Sequence, residues 1–202
     1  MSYPVQLDVT SPPHFERIQL ALRLAIAIAI GWLGSITGWL PGMVFFALPV
    51  IAATVVSTRG AQHYADDVAP TVWRAIRWLL AVSAYMLLLV DRFPTSETTD
   101  VQVAVRPDAH PTTGSALLRL LTSIPSAVVL GIIGIASSVL SVIGIVTILI
   151  DGRVPQAILA FQRGVLRWQA RLLAYHASLV DEYPPFSFEA TESPPVDRAR
   201  MI

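Results

Sequence analysis

An arginine followed by a tryptophan occurs twice in this chain, as Arg77-Trp78 and Arg167-Trp168. Each pair opens the same series of a tyrosine (Tyr85, Tyr175), an aspartate (Asp91, Asp181) and an aromatic-proline pair (Phe93-Pro94, Tyr183-Pro184), ninety positions apart throughout. A guanidinium holds a phosphate through two parallel hydrogen bonds, and an indole favours the level of lipid headgroups. Contact with the membrane interface or with anionic lipid is therefore the leading reading of Arg77, Trp78, Arg167 and Trp168. It extends to Arg163 and Arg171, which stack with Arg167 at intervals of four on one helical face. Recognition of an anionic ligand or partner is the second reading, and ion pairing with Asp91 and Asp181 the third. Both aspartates stand before an aromatic-proline pair, where the residue preceding proline is driven out of helical geometry. Asp91 with Pro94, and Asp181 with Pro184, are thus expected to end helices. A carboxylate is poorly placed at a helix C-terminus, so each should find an arginine or a backbone N–H.

Other reactive chemistry is sparse. Four histidines occur, His14, His63, His110 and His176; the first and third are ninety-six positions apart and both neighbour a proline, with Glu16 and Asp108 as the nearby carboxylates. That is too few converging ligands for a metal site, and no cofactor is expected. Cysteine is absent, which removes thiolate nucleophiles and disulfides. No nucleophile elbow, phosphate loop or dinucleotide fingerprint is present, so the expectation is a protein that is not an enzyme.

The elements that carry these residues are apolar. The chain is 54% hydrophobic and 14% charged, against roughly 25% charged for soluble domains. Its formal net charge is zero, which argues against a nucleic-acid partner. Two stretches carry no charge, Leu24 to Thr58 and Leu120 to Ile150. One span needs about 20 residues, so each stretch is expected to fold as a tight hairpin, with spans near 18–38, 43–57, 116–134 and 138–150. The tips fall at Gly34, Gly38, Pro41 and Gly42 in the first stretch and at Gly134, Ala136, Ser137 and Ser138 in the second. Gly34, Gly38 and Gly42 also have the spacing of a close helix-packing face. Arg23 and Arg119, one turn inside their helices, are expected to snorkel to the interface.

A third helix follows each hairpin, near 70–91 and 155–181, and the second is amphipathic enough to lie in the interface. Four spans place the arginines on one side, in keeping with the positive-inside tendency; six spans would invert the second copy. Val5 to Val9 and Val101 to Val105 read as strands that pair between the copies, and Phe186 to Phe188 as a further short one. The expected fold is an all-α membrane protein with minor β, a tandem duplication of strand, transmembrane helical hairpin and interfacial amphipathic helix. Residues 1–95 form the first repeat, 96–189 the second and 190–202 a disordered tail. The first segment lacks the basic start of a cleaved signal and is expected to stay as an anchor.

The run Gly164-Val165-Leu166-Arg167-Trp168, with Ala174-Tyr175 and Leu179 through Phe188, resembles the signature of a bacterial, largely actinobacterial, membrane family known as domain of unknown function forty-three eighty-nine. Tyr3-Pro4-Val5 and Gly152-Arg153 match its opening strand and its turn. The second copy fits best; in the first, Thr95-Ser96 and Thr58-Arg59 replace the usual residues. The resemblance implies a membrane location and no established activity. The chain is therefore expected to be a non-catalytic scaffold or accessory subunit of the cytoplasmic membrane. It would be multi-pass with cytoplasmic termini, and its partners the lipid bilayer and either a membrane protein or a second copy. A small transporter or channel built from the two repeats is the alternative.

Overall fold

The computed structural model describes residues 3–37, 40–95, 100–106 and 109–189. In order these form β1 (Val5–Val9), α1 (Arg17–Thr37), α2 (Leu40–Arg59), the short α3 (Ala61–His63), a π turn (Tyr64–Val68), α4 (Ala69–Met86), β2 (Val101–Val105), α5 (Thr113–Thr122), α6 (Ile124–Asp151) and α7 (Gln156–His176). The fold is mainly helical with one small sheet. The tail from residue 190 and the expected tip residue Gly38 lie outside the described residues.

The two strands pair antiparallel, with Val5 opposite Val105, Leu7 opposite Val103 and Val9 opposite Val101. Alternate residues point to one face, and Val5, Leu7, Val9 and Val103 are buried on it. The expected third strand is absent: Phe186 and Phe188 lie in irregular backbone and pack their rings on α7 instead. The core that these strands close draws on both halves of the chain, from Tyr3 to Val180.

The first uncharged stretch divides into α1 and α2 close to the expected bounds, with Gly34 inside α1 and Gly42 inside α2. Pro41 sits in the first turn of α2, where its missing N–H costs nothing. The second stretch departs from expectation. No hairpin tip forms at Gly134 to Ser138: α6 runs through them, and with α5 makes one rod of 39 residues. A glycine weakens a helix by only ~1 kcal/mol, no proline stands there, and the Ser138 hydroxyl folds back onto the Gly134 carbonyl at 2.8 Å. The rod ends at Gly152, whose left-handed backbone (φ 69°) returns its N–H to Ile148, a common helix stop. After three intervening residues α7 begins at Gln156 and runs back along α6.

α7 is the central helix. α6 lies on one side of it, α4 on another and β1 on a third, so even Gln162, Arg171 and His176 are buried. It is therefore packed on three sides rather than on the single face its spacing of arginines suggested.

Candidate functional site

Arg23 and Arg119 occupy the same position in two matching constructions. α4 ends at Met86 and α7 at His176, and in each the chain then hooks back through a left-handed residue, Leu88 and Ser178, both at φ 59°. Hooks of this kind leave carbonyls without helical partners, and the arginines take them. Arg119 donates to Tyr175 O and Val180 O, each at 2.6 Å, and meets Asp181 Oδ1 at 2.5 Å. Arg23 donates to Tyr85 O at 3.0 Å and Val90 O at 2.6 Å. Each guanidinium also lies over the ring of the tyrosine whose carbonyl it holds. These side chains are 4% and 3% exposed, so neither arginine snorkels.

The aspartates complete the clasps. Asp91 accepts the Glu16 N–H and Asp181 the His110 N–H, at 3.0 and 2.9 Å. They do not end the helices, since the left-handed residue three positions earlier has already done so; Pro94 and Pro184 follow the hook. The clasps differ in tightness. Arg23 and Asp91 stand 3.8 Å apart, with Arg23 Nη1 and Asp91 Oδ1 buried and unpartnered. Burial accordingly raises the Asp91 pKa above its ordinary value, against the Glu16 N–H and Arg23, which pull it down.

The arginine row on α7 holds protein rather than lipid. Arg163 donates to Ser11 Oγ at 2.8 Å, Arg167 to Leu7 O at 3.4 Å, and Arg171 lies over the Tyr3 ring. Intervals of four on the helix thus meet intervals of four on the N-terminal segment. Arg171 also takes Ser187 O and Glu189 O at 3.1 and 2.6 Å, which binds the closing segment to α7. Trp168 is buried against Phe186 and Phe188, and Phe188 sits where a Cβ on Gly164 would come within 2.6 Å. Trp168 and Arg171 are buried in this fold because strand and closing segment cover them. Their counterparts differ: Arg77 is exposed, and Trp78 is 56% exposed on α4.

A second buried polar set had no clear sequence signal. Pro49 inside α2 has no N–H for the Phe45 carbonyl four residues back. His176 Nε2 reaches that carbonyl at 2.6 Å, with its ring stacked on Phe45, while Nδ1 meets Ser123 Oγ at 2.8 Å. A carbonyl only accepts, so Nε2 carries the proton and Nδ1 accepts from the serine hydroxyl. Burial lowers the His176 pKa, opposed by its hydrogen bond to Phe45. Tyr64 donates to Ala177 O in the same hook, its own pKa raised to about 12 by burial. Gln162 bridges Ser137 and Ser141 across the α6–α7 seam. A proline inside an apolar helix was the one available hint, since it announces a carbonyl in need of a donor.

The match to known proteins falls on this half of the chain. Residues 114–187 match the family described as domain of unknown function DUF4389. The matched segment runs from the start of α5 to Ser187 and contains Arg119, Asp181, the arginine row, Trp168 and Phe186; the first half lies outside it. No curated protein and no solved structure matches the chain.

Proposed function

We propose that the chain is a membrane-embedded, non-catalytic component, a scaffold or accessory subunit of a cytoplasmic-membrane assembly, built from two copies of the DUF4389 unit. One contrast carries the reading. The buried cations Arg23, Arg119 and Arg171 are bound to carbonyls of their own fold, whereas α6 turns Val128, Ile135, Val142 and Leu149 outward. A soluble protein seldom exposes a contiguous apolar patch of this size, and α6 belongs to a helix long and apolar enough to cross a membrane. Duplication is supported by the two hooks, the two clasps and a strand pairing that places Leu7 opposite Val103, its own counterpart. Of the residues expected at the interface, Arg77 and Trp78 keep that assignment because both stay exposed.

Purification of the tagged full chain in mild detergent tests the role. A partner recovered in stoichiometric amount from independent preparations supports a scaffold. A lone monomer in every preparation removes it, and solute flux into liposomes containing the protein would replace it with a transporter.

A further inference from the structure

The folded body lies alongside α6, not at one end of it. On the outer side Val128, Ile132, Ile135, Val139, Val142 and Leu149 are spaced alternately three and four residues apart, apart from the last step, and are all more than half exposed. They form the centre of a broad exposed face, flanked by Ile143, Val146 and Ile150, down a 28-residue helix, about 42 Å long. The inner side, Ser126, Ser137, Gly144 and Ile148, is buried. α7 runs antiparallel along it for its full length, since Ser123 meets His176 and Ser137 meets Gln162. Past that, a Cβ on Gly144 would touch Val154 beyond the turn and Leu88 of the first hook. At the far end Gly152 accepts the Phe15 N–H, and Arg17 donates to Ile150 O. One clasp therefore sits near each end of α6, and β1 lies against α7 between them through Arg163 and Arg167.

A helix that crossed the bilayer in this fold would carry its companions to the same depth. The half-exposed Arg163 and Arg167 and the exposed Asp8 and Gln102 of the two-stranded ribbon would then lie at hydrocarbon level. Charged side chains are costly there and rarely face lipid.

We infer that α6 lies in the plane of the bilayer, its outer stripe sunk into one leaflet, with α4, α7 and the sheet on the polar side. The occupant of the stripe is the acyl layer of lipid. The helix Thr113–Asp151 reaches a mean hydropathy of 2.5 over its most apolar stretch, and Ile124 to Ile150 contains no charged residue that would mark a protein partner. Amphipathic helices of similar length lie this way, with one face buried and the other polar; here the polar face is supplied by the protein itself. The inference rests on the membrane attachment proposed above and replaces spanning with a one-sided mode.

The chain has no cysteine, so single cysteines at Val128, Ile135, Val142 and Leu149, each seven residues after the last, can carry a nitroxide without touching the core. Full-length protein is reconstituted in vesicles of phosphatidylcholine and phosphatidylglycerol, and depth is read from the accessibility of each label to oxygen and to a nickel chelate. Equal depths, about 5–10 Å below the headgroups, are expected at all four positions. Depth that passes from surface to bilayer centre and back, at about 1.5 Å per residue, overturns the in-plane arrangement and leaves membrane attachment standing. Labels that meet no lipid at all, on protein that fails to float with the vesicles, overturn both. Labels that broaden against one another without lipid contact assign the stripe to a second copy and likewise overturn the inference.

Discussion

Each clasp arginine fills an acceptor set that no other side chain can satisfy. Removing Arg119 leaves the Val180 carbonyl without a donor and Tyr175 O with the Ser178 N–H alone, so Arg119→Ala should destabilise the protein by about 2 kcal/mol. Arg119→Lys should recover less than half of that, because an ammonium cannot fork between two carbonyls and a carboxylate. Denaturant unfolding in micelles measures both. Ser178 offers the opposite case: its left-handed φ is strained for any residue but glycine, and its buried hydroxyl has no partner. Ser178→Gly should therefore stabilise by about 1 kcal/mol. Leu88→Gly, at the same angle, should destabilise by about 2 kcal/mol, because that side chain is fully packed against α6. His176 sets a pH dependence. Its folded pKa lies below the unfolded value, so its contribution is complete above about pH 6.5 and is lost as pH falls towards the folded pKa, where the unfolded chain takes up the proton first. Stability curves of the wild type and His176→Gln should run parallel above that pH and converge below it.

Elements here are defined by what closes on them. The segment from Tyr183 to Glu189 has no regular structure, yet two carbonyls on Arg171 and two rings on Trp168 hold it against α7. Gly164→Ala should dislodge it, because the new methyl meets Phe188 at a separation real side chains do not adopt. Faster limited proteolysis near Phe186, with helical circular dichroism retained, is the expected readout. α6 shows why hairpin tips are hard to place from composition. Glycines and serines at 131–138 weaken a helix, but a helix with a partner along its whole length tolerates them. The tip at Gly134 to Ser138 failed for that reason, whereas Gly152 ends the helix by adopting a backbone angle that other residues resist.

At the scale of the molecule the two halves are interleaved. The first strand lies on the last helix, α2 packs on α5, and Tyr64 bonds the second hook. Residues 96–189 expressed alone should therefore fail to fold cooperatively, although they contain the DUF4389 match, because Arg163, Arg167 and Arg171 would lose Ser11, Leu7 and Tyr3. Co-expression with residues 1–95 should restore a protected core, which hydrogen exchange would report.

The sequence by itself determined the repeated series, the strand pair and the helical, apolar character of the chain, because periodicity and composition are local properties. It also exposed the two aspartates as residues in need of a donor. Only the tertiary structure decided where the cations point. An arginine row at intervals of four has the same pattern whether it faces lipid or a strand 150 residues away, and burial of Arg23 and Arg119 depends on carbonyls freed by a hook more than fifty residues off. The packing of α6 was equally hidden, since an uncharged run records apolar character and carries no information about what lies along its other side.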